Sequence, residues 1–392
     1  MKTHPRKVSL VRLARFLSLG SVSVLALVVL PARVHANPPL YNVTVLGGLG
    51  GIDSRARSIN ALGQVAGSSL RSGNSITDAV WWTGVTPTDL VGLGGRSSAG
   101  NGINDFGQVV GLSYLSGNSA LHAVLWTGTT PTDLGTLGGP DSVANGINNS
   151  GQIVGSAWVN GSQQHAVRWT GTTHTPTDLG TPLGGPNSYG NAINASGQVA
   201  GAADLPDGRI GAVMWNGTAP TVLGSLSATG DSQAFGINTA GQIVGVSKPA
   251  FSSSSGHAVL WTGTTPTDLG TLGGVESRAY AINDLGDVTG ISQTTGTNSY
   301  VAFLYTGGTM YDLLSLVQPG SGITNLSVAG GSNINNVGQI AAHGFIGAEL
   351  HALLLTPTPE PASAALLLVG GALLGLRRRP QARCGGAAPL HL

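Results

Sequence analysis

Four histidines stand at matching places along the chain. His122, His165 and His257 each open a His-Ala-Val-x-Trp-Thr run, and His351 opens His-Ala-Leu. Imidazole is a proton carrier and a zinc ligand near neutral pH. Zinc, however, needs its ligands to converge within about 2.1 Å of one ion. Residues placed once per repeat are dispersed by the repeat itself, so these histidines read as structural, each bonding a nearby turn. Asp78, Gly211 and Val301 hold the equivalent place in other copies, as suits an optional contact. Trp82, Trp126, Trp169, Trp215 and Trp261 follow four residues after that place, with Tyr305 and Leu355 completing the series. Such rings could stack on sugars. Their recurrence, and the change to Leu355, favour a packing layer instead. Asp89, Asp133, Asp178, Asp268 and Asp312 lie at the start of the next expected strand. None sits in an Asp-x-Asp-x-Asp calcium loop, so they read as turn caps. The Leu-Gly-Gly turns lack the Gly-Lys-Ser/Thr of a phosphate loop, and no Gly-x-Ser-x-Gly nucleophile elbow occurs. No catalytic residue, metal site or cofactor is expected.

One set of residues breaks the repetition. Arg55, Arg57, Arg71, Arg96, Asp141, Tyr189, Asp204, Asp207, Arg209, Asp231, Glu276, Arg278 and Tyr280 differ from copy to copy. They fall at or near the connections from second to third and from fourth to first strand, which share one rim. A single binding site on a repetitive ring must break the pattern, so Arg55, Arg57, Arg96, Tyr189, Asp204, Asp207, Asp231, Glu276 and Arg278 form a candidate ligand rim. Solvated loop charges are the competing reading. A glycosidase or lyase would need two carboxylates about 5 to 9.5 Å apart in a cleft. Asp204 or Asp207 meeting Asp231 or Glu276 would supply that pair. A polysaccharide-active enzyme is therefore the alternative to a non-catalytic structural or adhesive module.

The elements that position these residues come from a repeat. Asn60, Asn104, Asn148, Asn194, Asn238, Asn283 and Asn335 recur at intervals of 44 to 52 residues, and a Gly stands three places after each. Asn suits the first position of a type I turn, and Gly suits the left-handed position that closes the hairpin. One strand ends near each Asn and another begins at the residue after the Gly. The His-Ala-Val run is a third strand. The Asp-Leu-Gly-Thr-Leu-Gly run, Thr132 to Gly138 in one copy, is the fourth. Four short strands in about 44 residues is the size of a propeller blade.

Triplets of the first three strands occur seven times, whereas the fourth type, beginning near Pro87, Pro131, Pro176, Pro220, Pro266 and Thr309, occurs six times. The segment Tyr41 to Leu46 leads into Leu-Gly-Gly and has the look of a fourth strand without a blade. Pairing it with His351 to Leu355 closes a ring. The expected fold is thus all-β, a seven-bladed propeller over residues 37–355. A linear solenoid would need polar caps instead. The repeat resembles the HAF family of extracellular repeat proteins across residues 41 to 355. The resemblance implies an extracellular repeat domain and no settled activity.

The two ends read as addresses. Residues 1–36 have the form of a signal peptide: five cations up to Phe16, an apolar run from Leu17 to Leu30, and Val34-His35-Ala36 before a cleavage site at Asn37. Near the other end, Pro359-Glu360-Pro361 closes a short linker of residues 356–361. An uncharged run from Ala362 to Leu376 and then Arg377, Arg378 and Arg379 follow, ahead of a disordered tail of residues 380–392. Fifteen helical residues span about 22 Å, short of the roughly 30 Å hydrocarbon core, so the run is a transient membrane anchor. The three parts together resemble the PEP-CTERM sorting signal. That resemblance implies recognition by an exosortase, a membrane cysteine protease, in a Gram-negative bacterium that exports polysaccharide. Signal peptidase would process the other end. The expected location is the cell envelope, cell surface or extracellular matrix.

Composition agrees. Of 392 residues 62 are Gly and 9% are charged, which suits short strands and many turns. Between the signal peptide and the uncharged run eight basic residues face all 17 acidic ones. That balance argues against nucleic-acid binding. The single cysteine, Cys384, leaves the body without disulfides. Extracellular polysaccharide is the expected partner.

Overall fold

A computed structural model describes residues 38–248, 255–297, 299–328 and 330–359. The expected signal peptide, the membrane-anchor run, Glu360, Pro361 and Arg377 to Arg379 lie outside the described residues.

Each Asn motif forms the hairpin its residues require. In one copy the strand Gly94–Ile103 ends at Asn104 and Val109–Leu115 follows. The Asn104 Oδ1 accepts from the amides of Phe106 and Gln108 at 3.1 and 3.0 Å. The Gly107 amide donates to the Asn104 carbonyl at 3.1 Å, and Gly107 has φ 74°, a conformation that costs a side-chain-bearing residue energy. The last Gly of the motif is needed for space. A Cβ on Gly111 would lie 1.9 Å from the Ala99 carbonyl oxygen across the hairpin.

The third strand of this copy is Leu121–Thr127 and the fourth Thr130–Asp133. Together the four make an antiparallel meander. The fourth strand departs from expectation. Asp133 ends it rather than beginning it, because its Oδ1 accepts from the Gly135 amide at 2.8 Å and turns the chain. Thus Leu134 to Gly138 is connection, not strand.

Five sheets have this four-stranded form. A sixth, eight-stranded sheet holds two such runs. One is Gly50–Ile59, Val65–Arg71, Thr77–Thr83 and Thr86–Asp89. The other is Ile323–Ser327, Ile340–Ile346, Glu349–Pro357 and Tyr41–Val45. A lone parallel pair, Asp53 with Leu350, links them. The first described strand therefore sits on the last, with Tyr41 opposite Pro357 and Val45 opposite Leu353. The last strand runs to Pro357, two residues past the expected boundary, since Thr358 N still reaches the Leu40 carbonyl at 2.7 Å.

The core lies between sheets. Third strands are apolar on successive positions, and Ala123, Val124, Leu125 and Trp126 are all buried, because neighbours cover both faces. Val110, Ala123 and Leu125 of one sheet pack on Ala144, Ile153 and Trp169 of the next. The same kind of cluster joins the first and last described segments: Leu46, Ala341 and Ala352 against Ala56, Val65 and Trp82.

Polar bonds follow the same course. Ser142 Oγ accepts from the Ala123 amide at 2.9 Å, and equivalent bonds run from Ala79 to Ser98, Ala166 to Ser188, Ala212 to Ser232 and Ala258 to Ser277. Ala352 to Ser54, also 2.9 Å, repeats the bond between last and first sheets. Each turn Asn donates its Nδ2 to the carbonyl of the next: 60 to 104, 104 to 148, 148 to 194, 194 to 238, 238 to 283, 283 to 335, and 335 back to 60, at 2.9 to 3.3 Å. This cycle has no free end. A linear stack could not make its last bond.

Candidate functional site

The first strands of successive sheets pack side by side and line a central channel. Six of them carry a β-bulge three residues before the turn Asn, whereas Ile323–Ser327 of the last run ends before that place. In Gly50–Ile59 the pairing skips from Ala56 to Ser58, leaving Arg57 out of register. The residues skipped in the other copies are Asn101, Asn145, Asn191, Phe235 and Tyr280. A bulge re-aims a side chain at the cost of one ladder pairing, and here Arg57, Asn101, Asn145, Asn191 and Phe235 line one cavity of about 320 Å³, with Val143, Gly330 and Gly331 also in its wall.

Below it the channel narrows to about 20 Å³ between Ser58, Gly102, Ile147, Ala192 and Ser332. Beyond the constriction the turn asparagines and the Ile residues before them form the opposite mouth.

The bulge residues fall into two sets. Asn101, Asn145 and Asn191 act alike, each Nδ2 donating to a carbonyl of the next sheet: Ala144, Gly190 and Ala234, at 3.0, 2.9 and 2.7 Å. Arg57, Phe235 and Tyr280 break the series. The Phe235 and Tyr280 rings meet at a centroid distance of 5.6 Å and an angle of 57°. Arg57 donates Nη1 to the Asn101 Oδ1 at 2.9 Å, while its Nε is buried without an acceptor. Burial, with the Arg55 charge nearby, lowers its pKa. The guanidinium stays protonated, since its ordinary value is so high.

The expected rim residues divide between two places. Arg96 is exposed on the first strand Gly94–Ile103, whereas Asp204, Asp207 and Asp231 lie at the loop ends as expected. Arg55, Arg57, Tyr189, Glu276 and Arg278 do not belong to loops. They are on the first strands Gly50–Ile59, Ser188–Ile193 and Gly273–Ile282, because these strands start earlier than the turn signals suggested. Each acid has a partner of its own. Asp207 pairs with Arg209 at 2.8 Å, Asp231 with Lys248 at 2.8 Å, and Glu276 with Arg278 at 2.6 Å and with the Tyr300 hydroxyl. Asp204 accepts from Asn187 Nδ2 at 2.7 Å. Arg55 is held by Asp53 at 2.8 Å.

The repeated residues also find partners. His122, His165 and His257 place Nδ1 2.8 to 2.9 Å from Asp133, Asp178 and Asp268 of the same sheet. Where Asp78 replaces His, Arg71 bridges it to Asp89. Where Gly211 replaces His, the Asp place holds Val222. His351 instead approaches Glu349 at 3.6 Å. The five Trp rings are fully buried. Trp82, Trp126, Trp215 and Trp261 donate Nε1 to carbonyls after the preceding sheet's fourth strand. They pack, and no sugar can stack on them.

Two features were missed from sequence. The bulge series was legible as the residue opening Asn-Gly-Ile-Asn, Asn-Ala-Ile-Asn, Arg-Ser-Ile-Asn and Phe-Gly-Ile-Asn. His343 had no repeat signal. It lines a second cavity of about 210 Å³ with Arg55, Asn325, Ser327, Phe345 and Leu350. Burial first, and then the Arg55 charge, pushes its pKa down to about 4.

No family model matches the chain, and no curated protein matches it. Solved structures do. The β-propeller domain of the Trilobed protease from Pyrococcus furiosus, described as having an open velcro topology, is 10% identical with a TM-score of 0.51, covering 78% of this chain and 95% of that one. A puromycin-hydrolyzing peptidase of Mycobacterium tuberculosis is 12% identical, with a TM-score of 0.46 and coverages of 81% and 56%. The Aleuria aurantia lectin in complex with Fucalpha1-6GlcNAc is 15% identical, with a TM-score of 0.40 and coverages of 68% and 96%. The likeness to the Pyrococcus furiosus domain shows the fold, a β-propeller.

Proposed function

We propose that the chain is a secreted, non-catalytic, seven-bladed β-propeller that binds its ligand through the central channel at the cell envelope or in the exopolysaccharide matrix. Counting the eight-stranded sheet as two supports seven blades, since a single parallel pair joins its halves. The seven-membered Asn cycle supports that count.

The observation that carries the binding reading is where the repetition fails. Turn, Ser and Trp positions hold the sheets together and recur. Five of the bulge positions face a cavity, and among these Asn gives way to Arg57 and Phe235 over part of the ring. Ligands bind in such concave places with a few converging polar groups. The enzymatic alternative would need two acids sharing one cleft, whereas Asp204, Asp207, Asp231 and Glu276 each serve a separate partner.

The delivery route rests on the two terminal signals. The resemblance to PEP-CTERM sorting signals assigns Pro359, Glu360, Pro361 and Arg377 to Arg379 to recognition by an exosortase, after signal peptidase has acted near Asn37. The HAF-like repeat agrees with an extracellular site. Fractionating host cells with and without the sorting protease tests the route. The mature chain should leave the membrane fraction only when the protease is present, and retention of the protein in the cytoplasm would overturn it. A glycan array probed with the full chain tests the binding reading.

A further inference from the structure

The channel cavity has a chemistry of its own. Its volume, about 320 Å³, lies at the small end of ligand pockets, which run from about 300 to 1,000 Å³. Arg55 and Arg278 are neutralised by Asp53 and Glu276, whereas Arg57 meets no carboxylate among the described residues. A buried charge without a counter-ion is costly, and here it borders an open space. Asn145 and Asn191 use Nδ2 on backbone carbonyls, which leaves each Oδ1 as an acceptor for hydroxyl groups. Phe235 supplies an apolar face.

We propose that this cavity binds a hexuronic acid unit of an acidic polysaccharide, the carboxylate on Arg57 and the sugar ring between Phe235 and the Asn145 and Asn191 amides. A planar carboxylate matches a guanidinium fork. One unpaired guanidinium suits one negative charge better than a phosphate dianion. Entry is from the side of the strand starts, because the constriction of about 20 Å³ closes the other way. The inference deepens the binding-module reading and rests on it for the polysaccharide source. The carboxylate site itself stands on the channel geometry.

The test titrates the full chain in detergent with glucuronic and galacturonic acids, neutral glucose, acetate and inorganic phosphate, by calorimetry. A hexuronate should bind at least about tenfold more tightly than glucose, and salt should weaken it. Arg57→Gln should abolish the preference. Should that variant fold poorly, Asn101→Asp serves: it places a carboxylate on the Arg57 Nη1 and quenches the charge, so hexuronate binding should be lost while the melt stays cooperative, lowered by the lost Asn101 bond to the Ala144 carbonyl. Phe235→Ala should weaken hexuronate but not acetate. Equal binding of glucose, tighter binding of phosphate, or full hexuronate affinity in Asn101→Asp would each overturn the inference. If free hexuronate binds but the array shows no polysaccharide, the site stands and the matrix role falls. Retention on neutral glycans without hexuronate binding leaves the module reading and removes this one.

Discussion

Two rows of asparagine, three residues apart on the same strands, behave differently. The turn row, Asn60 to Asn335, keeps its residue in every copy. The bulge row keeps Asn in three and changes to Arg57, Phe235 and Tyr280 in others. The difference is one of duties. Asn148 accepts from the amides of Ser150 and Gln152 and donates to Gln152 Oε1 and the Asn194 carbonyl. No other side chain has that geometry of donor and acceptors at a buried turn. Asn145 donates one bond, to the Gly190 carbonyl, and stands at the edge of an open cavity. A residue with one replaceable bond is free to vary. The contrast separates what builds the ring from what the ring can present to a ligand.

The sharpest way to break the comparison is to open the ring. Deleting residues 38–46 removes the strand on Glu349–Pro357 and the buried Tyr41 and Leu46. Stability should fall by at least about 5 kcal/mol, read as a collapse of the urea midpoint. A smaller cut compares the rows directly. Asn148→Ala should lose about 3 kcal/mol and Asn145→Ala about 1 kcal/mol. Equal losses would remove the distinction between them.

Acid tests the seam from another side. His343 is neutral in the fold, with its pKa near 4, against about 6.5 in the unfolded chain. Between those values the unfolded state binds more protons. Stability should therefore decline as pH falls from 6.5 to 4, by up to about 3 kcal/mol, and flatten below. His343→Gln should remove that slope in melts taken across the window. The smallest effect belongs to the repeated pairs. His165→Ala loses a contact with the exposed carboxylate of Asp178, and should cost under about 1 kcal/mol.

Much of this was legible in the sequence because repetition multiplies weak signals. The Asn and Gly spacing gave the hairpin, and the missing fourth strand gave the pairing of Tyr41–Val45 with the last strand. What was not legible is how copies bond to one another. The Ser six places before six of the seven turn Asn residues, from Ser54 to Ser277, recurs as plainly as the Trp. Its partner is an amide in the preceding sheet, which spacing alone cannot point to. The strand ends at Asp133 and Asp178 were misplaced because Asp suits the close of a strand as well as its start when a Gly turn follows. The channel was taken for a rim because a bulge leaves no mark on local composition. Only the comparison of equivalent positions across copies reveals it.

The central claim is that the chain closes on itself through its first and last described strands. Thr44 and Leu354 face each other across that seam. In a chain with Cys384→Ser, the double substitution Thr44→Cys and Leu354→Cys should form an intramolecular disulfide under mild oxidation, detected by mass spectrometry of the monomer's peptides. Monomer that stays fully reduced while disulfides join separate chains would contradict the closed ring.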